Sequence, residues 1–121
     1  MMSNNKTILI ADDDESLRRV IEYNLSNKGY RVLLANNGNE ALNIFKSEDV
    51  DIVITDLQME KVDGLELLEE IKRLKSNALV IMITAHGSDE TAVKAMKLGA
   101  YDYITKRFNR ELIQIIIEKA L

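Results

Sequence analysis

The chain has 121 residues, of which 46% are hydrophobic and 30% charged, and it contains no Cys, Pro or Trp. This length is enough for one domain with a buried core, and the lack of Cys excludes a disulfide scaffold and a thiolate metal site. Sixteen Lys and Arg residues against twenty Asp and Glu residues give a net charge of −4, which argues against direct binding of nucleic acid.

Five segments predict β-strands. Four of them are short, apolar and rich in β-branched residues, which is typical of strands covered on both faces: Thr7–Ala11, Arg31–Ala35, Asp51–Asp56 and Ala78–Thr84. The fifth, Tyr101–Thr105, mixes polar and apolar residues and suits the edge of a sheet.

A helical spacing of apolar residues follows each strand. The residues expected to face the core are, in chain order, Leu17, Val20, Ile21 and Leu25; Ala41, Leu42 and Phe45; Leu65, Leu68, Ile71 and Leu74; Val93 and Met96; and Leu112, Ile113, Ile116, Ile117 and Ala120. The expected start signals are a capping box at Asn37–Glu40, Asp63, Ser88 and Asn109, and the expected stops are Gly29 and Gly99.

Strict alternation of strands and helices predicts a single (βα)5 domain over residues 1–121, an α/β fold with helices on both faces of a parallel sheet. A five-stranded chain of this kind fits the doubly wound, flavodoxin-like strand order 2-1-3-4-5. The winding reverses between strands 1 and 3, so we expect a ligand at their carboxyl ends.

No run of apolar residues in the sequence is long enough to form a membrane-spanning helix. The apolar runs Ala78–Ile83 and Ile113–Ile117 are far shorter than the roughly 20 residues that a spanning helix needs. The first five residues are polar and show no secretory signal. We therefore predict a cytoplasmic location without a membrane partner.

Carboxylates collect where strands 1 and 3 end. Asp12 and Asp13 follow the first strand and Asp56 ends the third, so the predicted strand order brings the three together. Asp14 and Glu15 are interpreted as the cap and first turn of the first helix. Three adjacent carboxylates would repel one another unless a cation neutralised them, and hard oxygen ligands suit Mg²⁺.

Two further polar residues end neighbouring strands. Thr84 ends strand 4 and Lys106 follows strand 5. Alone, Lys106 would be an ordinary solvated strand end and Thr84 an ordinary strand-terminal hydroxyl. Together with a carboxylate cluster that binds Mg²⁺, a hydroxyl and an ammonium group are what phosphoryl transfer needs. Aspartate can itself accept the phosphoryl group.

At this point the sequence resembles the receiver domains of two-component response regulators over essentially its whole length. The matching stretches are Ile8–Asp13, Ile54–Met59 with Asp63–Gly64, Ile83–Ala85 and Gly99–Lys106. The resemblance implies a phosphorylation-controlled switch that assists only its own phosphorylation and dephosphorylation and is otherwise no enzyme.

The resemblance also implies a metal site and a phosphorylation site. Asp56 would accept the phosphoryl group from a sensor histidine kinase in the presence of Mg²⁺. Asp13 and Asp56 would bind the ion directly, and Asp12 would act largely through water. The backbone carbonyl of Gln58 would complete the protein ligands.

Further roles follow from the same resemblance. Thr84 would hydrogen-bond the phosphoryl group and Lys106 would pair with it, while Tyr103 would be the aromatic residue that turns inward as Thr84 moves. Gln58 and His86 occupy positions whose side chains tune the lifetime of the phosphoryl group. From the sequence alone, His86 is more simply an exposed loop residue.

Thr84–Ser88 and Ala92–Ala100 are most similar to receivers of the nitrogen-regulatory, enhancer-binding type, which control an ATPase that acts on an alternative sigma factor. This implies control of transcription through an output domain or effector, and a homodimer formed on phosphorylation through helix 4, strand 5 and helix 5. The last helical pattern reaches Leu121 without a capping residue, so we expect a longer regulator, with a single-domain regulator as the alternative.

The chain departs from the family pattern at two positions. Glu60 and Arg107 stand where receivers usually have Pro. The second departure matters more, because the Lys-Pro bond of typical receivers is cis. A cis bond costs about 2.5–4 kcal/mol before a non-proline residue, so we predict a trans bond between Lys106 and Arg107.

Two other functions compete with the switch. A phosphatase of the haloacid dehalogenase type would use an Asp nucleophile after strand 1, and Asp12–Ser16 is superficially similar to its motif. Such enzymes need a longer chain, and Asp56 would be left unexplained. A flavodoxin-like electron carrier would need a phosphate-binding loop rich in Ser, Thr and Gly after strand 1, where this chain has acids.

Overall fold

The computed structural model describes residues 6–57, 59, 63–84, 89–105 and 110–121. Its strands are β1 Thr7–Ala11, β2 Arg31–Ala35, β3 Ile52–Asp56, β4 Leu79–Thr84 and β5 Asp102–Thr105. Its helices are α1 Glu15–Ser26, α2 Gly38–Ser47, α3 Gly64–Leu74, α4 Asp89–Lys97 and α5 Arg110–Ala120. The predicted alternation of strands and helices is confirmed.

All strand pairs are parallel, and the order of the sheet is β2-β1-β3-β4-β5, as predicted. Strands β3, β4 and β5 each begin one residue later than predicted. Asp51 precedes β3, and its carboxylate accepts a hydrogen bond from the Thr7 N–H at 2.7 Å. Ala78 precedes β4 because its N–H closes a turn onto the Lys75 carbonyl.

The core has two layers, one on each face of the sheet. Successive residues of a strand point to opposite faces, so Leu9 lies in one layer while Ile8 and Ile10 lie in the other. The layer of Leu9 includes residues of α2, α3 and α4: Ala41, Leu67, Leu68, Ile71 and Ala95. The opposite layer includes residues of α1 and α5: Ile21, Leu25, Ile113, Ile116 and Ile117. No helix within the described residues is long and apolar enough to cross a membrane.

Three predicted helix starts are confirmed. Asp14, Asn37 and Asp63 each accept a hydrogen bond at the N-terminus of α1, α2 and α3, at 3.2, 2.8 and 2.9 Å. Ser88 and Asn109, predicted to open the last two helices, lie outside the described residues. The predicted stop signals Gly29 and Gly99 adopt positive φ angles of 92° and 102°.

The prediction that α4 buries Val93 and Met96 is wrong, since these side chains are 52% and 48% exposed. Instead the fully buried Ala95 faces the sheet. Val93 and Met96 are three residues apart and share a stripe about 100–160° around the helix from Ala95. The spacing of Val93 and Met96 identified a real apolar stripe on α4, but it could not show that Ala95, rather than this stripe, faces the sheet.

Three other residues of the predicted core are also substantially exposed: Val20, Leu74 and Leu112, at 41%, 51% and 39%. Each lies on a helix whose other predicted core residues include fully or nearly fully buried ones. A helix that packs on one face of a sheet leaves the margins of its apolar stripe in contact with solvent.

Candidate functional site

Three carboxylates meet at the carboxyl ends of β1 and β3. Asp12 and Asp13 directly follow β1, and Asp56 ends the neighbouring β3. One carboxylate oxygen of each lies within 4.8 Å of the others. The structure therefore brings together the three acids that the sequence placed at this edge.

Two of these acids are deeply buried. Asp12 is 0% exposed and Asp56 5% exposed, while Asp13 is exposed. Burying charges close together is costly unless an opposite charge offsets it. Oxygen ligands from one exposed and two buried carboxylates, open to solvent on one side, suit a hard divalent cation that keeps part of its water shell.

Hydrogen bonds hold the backbone N–H, the backbone carbonyl and one carboxylate oxygen of Asp12. Its N–H donates to the Ala35 carbonyl of β2 at 3.2 Å, and its carboxylate Oδ1 accepts from the Asp14 N–H at 2.8 Å. Its own carbonyl accepts from Arg18 Nη1 at 2.6 Å. The loop between β1 and α1 is thus fixed by β2, by its own backbone and by a side chain of α1.

The backbone around Asp56 is equally constrained. The Leu57 N–H donates to the Ile83 carbonyl of β4, and the Gly64 N–H donates to the Leu57 carbonyl, both at 2.9 Å. A Cβ atom on residue 64 would lie 2.3 Å from the Asp56 carbonyl oxygen, which is far inside contact distance. Only glycine lets the start of α3 approach the end of β3 this closely.

Thr84 and Tyr103 lie on the next two strands of the sheet. Thr84 ends β4, is 1% exposed, and comes one residue after Ile83, the register partner of Asp56. Tyr103 is the register partner of Met82 on β4. Its side chain is half-buried and packs against the core layer that contains Leu9. Its hydroxyl lies 2.9 Å from Thr91 Oγ1, which links β5 to α4.

Several predicted site residues lie outside the described residues. They are Gln58, His86 and Lys106, together with the two departures from the family pattern, Glu60 and Arg107. The predicted trans bond between Lys106 and Arg107 therefore stays a prediction.

Two residues at this site were missed as contributors to its geometry. The sequence places Gly64 only in a stretch that matches the family and gives no prediction for Arg18. The Asp63–Gly64 pair at a helix start was a usable signal for Gly64. No signal marked Arg18, because its contact with the Asp12 carbonyl appears only once α1 folds back over the loop.

The comparison with known proteins decides the family. Residues 8–118 match the family model described as the response regulator receiver domain. The chain belongs to this family. Receiver domains are parts of two-component signalling systems, so the expected family, its fold and its signalling class are confirmed.

Relatives of this receiver domain include transcriptional regulators. A putative NtrX-like response regulator of Rickettsia felis is 44% identical over 115 residues, which cover 93% of this chain and 24% of the relative. The transcriptional regulatory protein ZraR of Escherichia coli K12 is 40% identical over 121 residues, which cover 100% of this chain and 27% of ZraR. The receiver domain thus spans about a quarter of the length of these relatives.

Solved receiver structures agree with the fold. The solution structure of the beryllofluoride-activated NtrC4 receiver domain dimer superposes with a TM-score of 0.89 at 34% identity, and the match covers 94% of each chain. Both this structure and the sequence relatives belong to the type of regulator that the sequence resembled.

Proposed function

We propose that this receiver domain is a signalling switch that accepts a phosphoryl group on Asp56 from a sensor histidine kinase. The observation that carries the proposal is the cluster of Asp12, Asp13 and Asp56 at the point where the winding of the sheet reverses. Asp56 is the only one of the three that ends a strand, and its backbone is held by β4 and by the start of α3.

Mg²⁺ fits the donor set of this cluster, and when bound it would neutralise charge on the phosphoryl oxygens. Asp13 and Asp56 would hold the ion directly, with Asp12 behind a water molecule and the Gln58 carbonyl as a further ligand. These roles combine the family resemblance with the proximity of the three acids.

The chemistry assigned to the protein is a phosphoryl transfer. A carboxylate oxygen of Asp56 attacks the phosphorus atom of a phosphohistidine, the P–N bond breaks, and an acyl phosphate forms. The Thr84 hydroxyl and the Lys106 ammonium group would bind phosphoryl oxygens, and Tyr103 would follow the movement of Thr84. Gln58 and His86 would set the lifetime of the adduct. The domain assists only this reaction and the later hydrolysis of the acyl phosphate, in which water attacks phosphorus, the Asp56 carboxylate is restored and inorganic phosphate leaves; it is not otherwise an enzyme.

The output belongs to the same proposal. We assign it to the control of transcription by an output domain or effector protein, as the names of the relatives favour. Phosphorylation would promote a homodimer through the face formed by α4, β5 and α5. Among the described residues, these elements and the start of β5 carry exposed large apolar side chains: Val93 and Met96 on α4, Tyr101 directly before β5, and Leu112 and Ile115 on α5. The beryllofluoride-activated NtrC4 receiver domain is a dimer, which supports this assignment. A cytoplasmic location and the lack of direct nucleic-acid binding stay predictions.

The test is incubation with a small phosphodonor such as acetyl phosphate, with and without Mg²⁺, followed by intact mass measurement. We expect a Mg²⁺-dependent gain of one phosphoryl group that Asp56→Asn abolishes. Asp49→Asn is the control, because Asp49 is an exposed acid outside the cluster. An adduct that survives Asp56→Asn would contradict the proposal.

The same experiment separates the competing functions. A phosphatase of the haloacid dehalogenase type would keep its adduct in Asp56→Asn and lose it in Asp12→Asn. A flavodoxin-like carrier would bind flavin and colour the purified protein. The three carboxylates at the carboxyl ends of β1 and β3 disfavour that function, because they would repel the flavin phosphate.

A further inference from the structure

Two adjacent arginines of α1 have different environments. Arg18 is half-buried, and its Nη1 donates to the Asp12 carbonyl at 2.6 Å. Arg19 is exposed and pairs with Glu15 on its own helix at 2.9 Å. Such an exposed pair contributes little to stability, whereas a charge-assisted hydrogen bond to the backbone of the buried Asp12 fixes the geometry of the loop there.

The Asp12 carbonyl belongs to the peptide group that connects Asp12 to Asp13. A peptide group is planar and rigid, so the direction of this carbonyl also sets the position of the Asp13 Cα atom. On the other side of Asp12, its N–H is held by Ala35 and its carboxylate by the Asp14 N–H. Arg18 supplies the side-chain contact to the peptide from which Asp13 extends.

We propose that Arg18 is a positioning residue for the cation site, because it holds the peptide group from which Asp12 and Asp13 extend. This proposal rests on the cation site of the proposed function. Arg18 touches neither the ion nor the phosphoryl group in this role; it acts through the backbone of the two acids.

If Arg18 acted only through its charge, its removal would change the Mg²⁺ affinity in the opposite direction. Arg18 is a fixed positive charge close to a cation site, so its removal should strengthen Mg²⁺ binding if only Coulomb repulsion mattered. If positioning dominates, its removal should weaken Mg²⁺ binding although the site becomes more negative. The direction of the change in affinity therefore decides between the two.

The experiment compares Arg18→Met with Arg19→Met in the 121-residue chain. Both changes remove one positive charge from adjacent positions of α1, so Arg19→Met is a matched control for net charge. We expect Arg18→Met to raise the Kd for Mg²⁺, measured by calorimetric titration, by up to about tenfold. Arg19→Met should leave the Kd within about twofold of the wild type or lower it.

Thermal unfolding without Mg²⁺ is measured on the same samples. A contact that only stabilised the fold would lower the melting temperature and leave the Mg²⁺ affinity of the folded protein unchanged, and this result would overturn the proposal. Equal affinities of Arg18→Met and Arg19→Met, or tighter binding by Arg18→Met, would overturn it as well. Should Arg18→Met not fold, Arg18→Leu, which is also neutral and has no donor, serves as the variant with the same expected loss.

Arg18→Lys provides the rescue, since it keeps the charge and one donor. We expect it to bind Mg²⁺ more tightly than Arg18→Met, and affinity no better than that of Arg18→Met would count against the proposal. The same titrations distinguish a failure of the proposed function from a failure of the role proposed for Arg18. A wild-type chain that binds no Mg²⁺ overturns both proposals, while normal wild-type binding with an unchanged Arg18→Met overturns only the role of Arg18.

Discussion

Among single residues, Gly64 shows how the site depends on close backbone contact. Helix propensity alone predicts that Gly64→Ala stabilises the protein by up to about 1 kcal/mol. The structure predicts the opposite, because the added Cβ would meet the Asp56 carbonyl oxygen at 2.3 Å and the Leu57 Cα at 2.8 Å. We expect a loss of about 1–3 kcal/mol in the free energy of unfolding, as for other overpacked sites. Urea unfolding measures it, and a variant as stable as the wild type would contradict this expectation.

The three successive acids that follow β1, Asp12, Asp13 and Asp14, are expected to contribute unequally to the affinity for Mg²⁺. We expect Asp12→Ala to raise the Kd for Mg²⁺ by about tenfold, as for the loss of a partner behind a water, and Asp13→Ala to raise it further. Asp14→Ala is the matched control, because it removes the same charge from a residue that caps α1. Titration of the three variants checks the order. Equal losses for Asp12→Ala and Asp13→Ala would contradict the assignment of Asp13 as a direct ligand.

Among the elements, α4 contributes few buried side chains to the core. Ala95 is its fully buried residue among the described ones, and the Thr91 and Tyr103 hydroxyls link it to β5. Its large apolar residues Val93 and Met96 face solvent instead, as do Leu112 and Ile115 of α5. An element with few buried contacts shifts at low cost, which suits a face that is to respond to phosphorylation.

This arrangement predicts that Met96→Glu weakens the phosphorylation-dependent dimer by at least about tenfold in Kd, because a charge would be placed in the apolar contact. Leu74→Glu is the control, since Leu74 is equally exposed, at 51% against 48%, but ends α3. Sedimentation velocity of the phosphorylated chains measures both. A phosphorylated wild type that stays monomeric at high concentration would contradict the dimer, and normal dimerisation of Met96→Glu would contradict this face.

For the individual elements, the sequence predicted local features such as helix caps better than it predicted which face of a helix packs on the sheet. The caps at Asp14, Asn37 and Asp63 could be predicted because they depend on hydrogen bonds within a few residues. The orientation of α4 could not, because an apolar stripe is explained equally well by burial in the core and by an exposed interface. Val93 and Met96 were assigned to the core for that reason, and only the contact of Ala95 with the sheet shows otherwise.

At the scale of the whole molecule, strand order and the meeting of the three acids could be predicted together. Once alternating strands and helices fix a parallel sheet, the ends of β1 and β3 become neighbours, and Asp12, Asp13 and Asp56 must converge. The contacts that hold these acids could not be predicted in the same way. The contact of Arg18 with the Asp12 carbonyl and that of Gly64 with the Asp56 carbonyl join segments whose approach depends on the folded loops.

The central claim is that Asp56, within a Mg²⁺-dependent carboxylate cluster, is the residue that receives the phosphoryl group. Its most direct test is peptide mapping of the chain after reaction with a small phosphodonor and Mg²⁺, with the acyl phosphate trapped by borohydride reduction. Trypsin separates the candidates, because Asp56 lies in the peptide 47–61 and Asp12 and Asp13 lie in the peptide 7–18. We predict a modification in the peptide 47–61, at Asp56, that is lost when Mg²⁺ is omitted. A modification in the peptide 7–18, or one that forms equally well without Mg²⁺, would contradict the claim.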